Sequence, residues 1–301
     1  MENQKSAFIA IVGKPNVGKS TILNKLIGEK IAIVSKKPQT TRTRVMGVLT
    51  QGGDQLVFLD TPGLLKPKNS LGDYMVKSVT TAVDGVDACL LVAQAGAPVA
   101  KADEELMARF RRGRVPAVLA INKIDKLQDK TQLMSQIAAY SERFPFQAVV
   151  PVSAQNGDGM GALLDELKAL AQPGGWFFEE DALTDQPERV LAAEMVREKV
   201  LRLLDQEIPH GVAAVTEIME EREGLLELHV TLYCEKSNHK GILIGRAGSM
   251  LKQIGTAARQ DLERFFGCKV NLQLWVKVKE DWRQRPETLQ SLGFSEKNLE
   301  L

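Results

Sequence analysis

The stretch Gly13-Lys14-Pro15-Asn16-Val17-Gly18-Lys19-Ser20 decides the fold of this chain. An apolar run at 7–12 precedes it, and an amphipathic segment of helical spacing follows it. A glycine-rich segment between a buried strand and a helix fits the pattern GxxxxGK(S/T), whose backbone N–H groups surround a β-phosphate. In this pattern Lys19 reaches the β and γ oxygens, and the Ser20 hydroxyl binds Mg²⁺. The segment therefore predicts a polyphosphate site at the start of an α/β domain.

Short apolar runs alternate with longer amphipathic segments as far as about residue 170, which is typical of a sheet covered by helices. The runs predict strands over 7–12, 45–50, 55–60, 88–93, 117–122 and 148–153. Only Gln51-Gly52-Gly53-Asp54 separates the second strand from the third. We therefore expect an antiparallel hairpin at one edge of a mostly parallel sheet.

Proline, glycine and acidic residues replace the periodic pattern after residue 172. We expect a first domain at 1–172, a linker at 173–188, a second domain at 189–285 and a C-terminal tail at 286–301. The second domain has the predicted order α-β-β-α-α-β, with a helix over 189–206, two strands around Arg222-Glu223-Gly224, helical residues within 240–266 and a strand over 269–278. Alternating apolar and polar residues in its strands indicate one sheet face against helices and one facing water.

Composition excludes several classes of protein. The chain has 301 residues and no apolar run near 18 residues, and its three cysteines, Cys89, Cys234 and Cys268, are too few and scattered for a disulfide framework. With no secretory signal in the first residues, we expect a reducing, cytoplasmic setting. The net charge of +1 hides an uneven distribution, because residues 235–285 hold 11 basic and 5 acidic side chains. This excess predicts a basic surface for nucleic acid on the second domain.

Three further motifs follow predicted strands, at the sheet edge where the phosphate loop lies. Asp60-Thr61-Pro62-Gly63 places a carboxylate to hold Mg²⁺ through water and the Gly63 N–H towards a γ-phosphate. In Asn122-Lys123-Ile124-Asp125, the Asp125 carboxylate accepts from N1–H and the 2-amino group of guanine, whereas adenine leaves it unpaired. Ser153-Ala154-Gln155 places the Ala154 N–H against guanine O6. The motifs predict a guanine-nucleotide site.

These four elements, in this order and spacing, resemble a translation-factor-class GTPase domain. The resemblance implies a first switch loop at Pro38-Gln39-Thr40-Thr41-Arg42-Thr43, which supplies a threonine to Mg²⁺, and we favour Thr41 over Thr40. It implies catalytic roles for Lys19, Thr41, Asp60 and Gly63. Nucleotide contacts are expected from residues 13–20, Thr21, Gln39, Thr40, Thr41, Arg42, Thr43 and the three motifs above. The basic residues Lys36, Lys37, Arg42 and Arg44 are interpreted as a solvated or RNA-facing loop.

The expected chemistry is positioning and charge stabilisation. His210, His229 and His239 all follow the linker, so the first domain has no imidazole base. Leu64 stands where many signalling GTPases carry a glutamine that orients water, so slow intrinsic turnover is expected. The resemblance further implies that Asn16 helps to bind a potassium ion in place of an arginine finger.

In the second domain, Gly245-Arg246-Ala247-Gly248 lies between two helices. Within the order α-β-β-α-α-β it resembles the GxxG loop of a type II KH domain, which clamps the backbone of about four nucleotides. We expect RNA contacts from this loop and from Lys240, Lys252 and Arg259, although these three also fit ordinary surface charges. For Trp275, stacking on a base or partner and burial under the linker both remain open.

The two domains together resemble the Era family of GTPases over about residues 6–281. This resemblance implies GTP or GDP and Mg²⁺ as ligands, binding near the 3′ end of small-subunit ribosomal RNA, assembly of the small ribosomal subunit, and peripheral association with the cytoplasmic membrane. Two other readings stay open at this point. One is an RNA-binding assembly factor for which nucleotide is a structural ligand, and the other is an ATPase.

Overall fold

The computed structural model describes residues 4–64, 67–129 and 131–295. The N-terminal domain contains β1 (Lys5–Gly13), α1 (Lys19–Ile27), β2 (Val45–Gln51), β3 (Asp54–Asp60), α2 (Ser70–Asp84), β4 (Ala88–Gln94), α3 (Lys101–Gly113), β5 (Ala117–Asn122), α4 (Thr131–Ser141), β6 (Ala148–Val152), α5 (Met160–Lys168) and β7 (Gln172–Pro173). The C-terminal domain contains α6 (Glu188–Leu203), β8 (Ala213–Arg222), β9 (Leu225–Cys234), α7 (Ser237–Ile244), α8 (Ser249–Phe266), β10 (Lys269–Val278) and α9 (Pro286–Ser291).

The N-terminal sheet has the order β2-β3-β1-β4-β5-β6, and the short β7 pairs with the start of β1. The strands β3, β1, β4, β5 and β6 run parallel, whereas β2 is antiparallel to β3, which confirms the predicted hairpin. Buried apolar side chains cover both faces of this sheet under the helices. The carboxyl ends of β1, β3, β5 and β6 therefore meet at one edge, where all four sequence motifs lie.

The C-terminal domain follows the predicted order of elements. Its sheet has the order β10-β9-β8, with β10 parallel and β8 antiparallel to β9. Helices α6, α7 and α8 cover one face and bury the alternating apolar residues of β9. As predicted, the helical stretch forms two helices, because Gly245 at φ 75° ends α7 before α8 begins. The first helix ends at Leu203 rather than at 206, because Leu204 is extended.

The linker packs along the N-terminal sheet. The N–H of Val48 in the edge strand β2 donates to the Leu183 carbonyl (2.8 Å), and the Thr184 hydroxyl donates to the Met46 carbonyl (2.5 Å). The side-chain amide of Gln55 bonds to the backbone of Phe178 in both directions. The segment that composition marks only as a break therefore follows a fixed path across β2 and β3.

The tail contributes a helix that the sequence analysis did not predict. The short α9 packs through Leu289 against the fully buried Trp282, together with Leu71, Tyr74 and Met75 from α2 of the N-terminal domain. The Trp282 indole N–H donates to the Gly211 carbonyl (2.9 Å), which fixes the ring. Trp282 and α9 therefore join the two domains. None of the helices in the described residues has the length and apolar character that crossing a membrane requires.

Candidate guanine-nucleotide and RNA sites

The phosphate loop is held by two glycines that no other residue can replace. Gly13 has φ 143°, and a Cβ there would lie 2.4 Å from the Val92 carbonyl oxygen. Gly18 has φ 104°, and a Cβ there would lie 2.2 Å from the side-chain nitrogen of Asn122. The positive φ angles and the close contacts with neighbouring strands together require glycine. The loop is thus shaped by the sheet beneath it.

Lys19, the first residue of α1, is buried in this loop. Its Nζ donates to the carbonyls of Gly13 (3.2 Å) and Lys14 (3.1 Å). Burial lowers the pKa of Lys19 to about 8, although the Asp60 carboxylate opposes the shift. A buried ammonium held by two carbonyls is a preformed partner for an incoming phosphate.

Three oxygen-bearing side chains meet beside Lys19, as the sequence predicts. The Ser20 hydroxyl lies 2.9 Å from the Thr41 hydroxyl and donates to Asp60 Oδ2 at 2.5 Å. Asp60 is fully buried, its Oδ1 has no hydrogen-bond partner among the described residues, and burial raises its pKa to about 6. A buried carboxylate oxygen without a partner is costly unless a cation binds it. Hard oxygen donors of this kind fit Mg²⁺.

The residues after Asp60 brace the edge of the site. Both the N–H and the hydroxyl of Thr61 donate to the Ile11 carbonyl (3.3 and 2.9 Å), so Thr61 supports β1. A Cβ on Gly63 would lie 2.7 Å from Pro15, so Gly63 allows the two loops to touch. The Leu64 N–H donates to the Gly13 carbonyl (3.4 Å), and its side chain packs against the core.

The base loop is organised around Asn122, which is buried. Its side-chain nitrogen donates to the Val17 carbonyl (2.8 Å), which joins this loop to the phosphate loop. Its Oδ1 accepts from the N–H of Lys123 (2.8 Å) and of Ala154 (3.0 Å). The Ala154 N–H that was assigned to guanine O6 is therefore directed at Asn122 in this structure.

Asp125 lies on an exposed 3₁₀ turn, Ile124–Lys126, and the Ser153 hydroxyl donates to its Oδ1 at 2.6 Å. The carboxylate is therefore held in place with an oxygen left for a ligand. A cavity of about 840 Å³ extends from the phosphate loop to α6. Lys123 and Gln155 line this cavity, whereas Asp125 lies outside its lining.

In the loop 38–43, the neighbouring side chains Thr40 and Thr41 contact different parts of the domain. Thr41 faces Ser20 and Asp60, whereas the Thr40 hydroxyl bonds to Ser35 (2.7 Å) and the Lys37 carbonyl (2.7 Å). This geometry supports the choice of Thr41 over Thr40. Thr40 and Gln39 line the large cavity, and Thr43 lines a separate small cleft.

Arg42 corrects the sequence analysis. It was assigned to the nucleotide site or to a solvated loop, but it is 2% exposed and donates to the carbonyls of Val212 and His210 (both 2.7 Å) in the C-terminal domain. Arg44 is also buried and Lys37 bonds to Asp205 (3.0 Å), whereas Lys36 is exposed, as expected of a solvated loop. The loop is an interdomain contact because residues about 170 positions later in the sequence cover it.

Asn16, the residue assigned to potassium, has φ 62° and donates from its side chain to the Lys36 carbonyl (2.9 Å). The side chain thus bridges the phosphate loop and the segment before the switch loop. The potassium assignment stays a prediction.

The GxxG loop is exposed at the junction of α7 and α8. Gly245, Ala247 and Gly248 have φ angles of 75°, 51° and 78°, so the backbone turns sharply, and the N–H groups of Gly245 and Gly248 donate to the carbonyls of Gly241 (2.9 Å) and Gly245 (3.2 Å). The side chains assigned to RNA share one property, which is exposure to solvent: Lys240, Arg246, Lys252 and Arg259. Trp275 is 44% exposed, with its ring 5.2 Å from that of His229, so burial under the linker was the wrong alternative.

Comparison with known proteins identifies the family. A family model described as 50S ribosome-binding GTPase matches residues 8–123, and a KH domain model matches residues 207–283. GTPase Era of Ruminiclostridium cellulolyticum is 47% identical over 96% of this chain and 97% of its own length. The chain belongs to the Era family of GTPases. A second relative in this family, GTPase Era of Clostridioides difficile, is 45% identical over 97% of this chain and 99% of its own length.

Solved structures of the family share the whole architecture. A variant of Aquifex aeolicus Era bound to GDP and AlF₄⁻ has a TM-score of 0.93 and 38% identity, and the match covers 97% of this chain and all of that chain. Era in complex with MgGDPNP and nucleotides 1506–1542 of 16S ribosomal RNA has the same TM-score and identity, with coverage of 97% and 99%. The predicted fold class is confirmed, and the protein is a GTPase with a C-terminal KH domain.

Sequence reasoning missed the residues that connect the two domains. Arg197 on α6 donates to the Thr40 carbonyl, and Trp282 lies under the guanidinium of Arg42 with 5.6 Å between Cζ and the ring centre. The spacing of Glu194 and Arg197, three residues apart in a predicted helix, was the available signal for an ion pair there. Trp282 had no such signal, because the residues around it in the sequence are charged.

Proposed function

We propose that this GTPase is a switch that binds small-subunit ribosomal RNA near its 3′ end and assists assembly of the small ribosomal subunit. One observation carries the proposal. The oxygens of Ser20, Thr41 and Asp60 meet beside Lys19 in a chain that also presents an exposed GxxG loop. The ligand pair of the solved relative, MgGDPNP and 16S ribosomal RNA, matches these two sites in chemistry.

In this proposal, Lys19 and the phosphate-loop N–H groups hold the β and γ phosphates of GTP. Ser20 and Thr41 hold Mg²⁺ directly and Asp60 holds it through water. When bound, the metal neutralises charge that develops on the phosphate oxygens. Gly63 presents its N–H to the γ-phosphate. The domain has no histidine, so positioning and charge stabilisation account for hydrolysis, and intrinsic turnover is slow.

Guanine specificity is assigned to Asp125, which Ser153 orients. Asp125→Asn replaces one acceptor with a donor, so GTP loses its advantage over ATP in a competition assay. The matched control is Asp129→Asn, four residues further on and exposed. Equal competition by ATP and GTP in the unaltered protein would contradict this role of Asp125.

The RNA target is tested by crosslinking the protein to total cellular RNA in its GTP and GDP states and mapping the bound nucleotides. We expect crosslinks near the 3′ end of small-subunit ribosomal RNA. Arg246→Glu removes a cation from the GxxG loop and weakens these crosslinks, whereas Arg222→Glu, at the exposed end of β8, leaves them unchanged. Crosslinks to large-subunit RNA alone, which the description of the N-terminal family model suggests, would reject this target.

The switch itself requires different RNA affinities in the two nucleotide states. In the proposed cycle, GTP orders the switch loops and favours one arrangement of the KH domain, and hydrolysis releases it. Titration of a labelled 3′-end RNA against the GTP-analogue and GDP complexes measures this difference. Equal dissociation constants would exclude a timer.

Two finer assignments complete the proposal. Asn16 binds K⁺ during hydrolysis, so replacing K⁺ buffer with Na⁺ buffer slows phosphate release, and equal rates would remove this role. The protein is cytoplasmic, with a peripheral fraction at the cytoplasmic face of the cell membrane. Flotation with vesicles of cytoplasmic-membrane lipids tests that fraction, and a protein that never floats would contradict it.

A further inference from the structure

The C-terminal domain holds the residues on both sides of Thr41. Before it, the Thr40 carbonyl accepts a hydrogen bond from Arg197 Nη2. After it, Arg42 extends into the C-terminal domain. Thr41 itself faces the opposite way, with its hydroxyl 2.9 Å from Ser20. Consecutive Cα atoms are about 3.8 Å apart, so a backbone displacement at Arg42 is passed directly to Thr41.

The guanidinium of Arg42 lies in a site formed by Trp282 and residues 209–212, which we call the seat. Its two terminal nitrogens donate to carbonyls of Val212 (2.7 Å) and His210 (2.7 Å), at the end of the 3₁₀ turn Pro209–Gly211. Carbonyls at such an end lack partners within the turn and attract a cation. The Trp282 ring forms the floor of the seat, 5.6 Å from the guanidinium carbon. The planar, forked guanidinium fits this arrangement, whereas a lysine ammonium matches only part of it.

The side chain of Arg197 is also held in place by hydrogen bonds. It is 1% exposed, and Glu194 receives hydrogen bonds from its Nε (2.7 Å) and Nη2 (2.6 Å). The carboxylate one turn earlier on α6 therefore aims the guanidinium at the Thr40 carbonyl. Arg42 and Arg197 thus bind the switch loop to the C-terminal domain on one side. On the other side, the Ser20 hydroxyl contacts Thr41.

We propose that Arg42 is a positioning residue for GTP hydrolysis, which places Thr41 beside Ser20 and Asp60 only while its guanidinium occupies the seat formed by Trp282 and residues 209–212. This inference rests on the proposed role of Thr41 in the nucleotide site. It adds that the site is complete only when the C-terminal domain is docked. By linkage, a ligand that favours this place of Thr41 also strengthens the docking.

The test compares full-length Arg42→Gln with the matched control Arg222→Gln, an exposed arginine at the end of β8. The first readout is hydrogen exchange of residues 39–43 without nucleotide, which becomes faster in Arg42→Gln only. The second is GTP turnover, for which a misplacement of this kind lowers kcat roughly 10- to 100-fold. GDP affinity stays unchanged, because GDP has no γ-phosphate near Thr41. Arg42→Lys restores part of the loss.

Trp282→Leu supplies a second variant at the same seat. If the ring acts by holding Arg42, the double variant is no slower than the more affected single variant, because both changes remove one interaction. Unchanged exchange and unchanged kcat in Arg42→Gln would overturn the proposal. Equal losses of GDP affinity and kcat would also overturn it, since they indicate general disruption. Absence of GTP turnover in the unaltered protein would reject the proposed function, while the exchange result would still decide the position of the loop.

Discussion

The phosphate loop and the GxxG loop both contain glycines at positive φ, but different surroundings fix them. In the phosphate loop, a Cβ on Gly13 or Gly18 would come within 2.4 Å of neighbouring strand residues. In the GxxG loop, a Cβ on Gly245 would lie 2.7 Å from Met250 of the following helix, whereas a Cβ on Gly248 would meet no atom of the described residues within 4 Å. A site for one compact polyphosphate is therefore built against the core. The surface for the phosphates of a longer chain is open at Gly248, where backbone conformation alone favours glycine.

The largest expected effect tests the closed loop. Gly13→Ala forces φ 143° on alanine and drives its Cβ against a backbone carbonyl that cannot move aside. We expect a loss of about 3 kcal/mol in the free energy of unfolding and no retained nucleotide. Denaturant unfolding and binding of a fluorescent GDP measure the two effects. Gly28→Ala, with φ 87° and no atom within 4 Å, is the control, and equal losses in both variants would show that sterics do not matter here.

A smaller effect is expected at the metal side of the same site. Thr41→Ala removes one of the three oxygens that meet beside Lys19, so GTP hydrolysis falls roughly 10- to 100-fold and requires more Mg²⁺. Thr43→Ala, two residues further in the separate cleft, leaves the Mg²⁺ titration of phosphate release unchanged. If Thr40→Ala gave the loss and Thr41→Ala did not, the assignment of Thr41 would be wrong.

The open loop should tolerate what the closed loop does not. Gly248→Ala places alanine at φ 78° without a clash, so the cost in stability is roughly 1–2 kcal/mol, and nucleotide binding is unaffected. Its added methyl group nevertheless obstructs a phosphate that approaches the loop, so binding of single-stranded RNA weakens. Gly241→Ala in the preceding helix, also without a neighbour, should bind RNA normally. Loss of nucleotide binding in Gly248→Ala would break the distinction between the loops.

The smallest effect concerns the connection between the two regions. Asp261, on the helix after the GxxG loop, bonds to Lys30 of the N-terminal domain (2.7 Å) and to Lys199. Burial alone would raise the pKa of Asp261, but these hydrogen bonds lower it to about 2. A lowered acid pKa stabilises the fold above the ordinary pKa of 3.8, and this contribution disappears as the pH falls towards 2.

Asp261→Asn should therefore lower the free energy of unfolding by under about 1 kcal/mol at neutral pH, because the Lys30–Asp261 pair is partly exposed. The difference from the unaltered protein should vanish in acid unfolding towards pH 2. Glu220→Gln, in the exposed β8–β9 hairpin, serves as the control. A cost that persists unchanged at the lowest pH would show that charge is not its source.

The sequence predicted best where chemistry and periodicity coincide. Each nucleotide motif follows a buried strand, so its place at the sheet edge followed from topology, and Ser20, Thr41 and Asp60 do meet. The destination of Arg42 was not predictable, because it depends on carbonyls that only docking brings near. The helix α9 had a usable signal in Pro286 and Glu287 at its start. It is six residues long, too short for a periodic pattern to mark it.

The path of the linker has a consequence for solubility. The edge strand β2 would otherwise offer unpaired backbone groups to another chain, and such edges promote aggregation. The Leu183 carbonyl accepts a hydrogen bond from the Val48 N–H, and the Thr184 hydroxyl donates one to the Met46 carbonyl. The linker therefore joins the two domains and also covers the β2 edge of the N-terminal sheet. Cutting or shortening the linker would expose the β2 edge to pairing with another chain, and it would also separate the two domains.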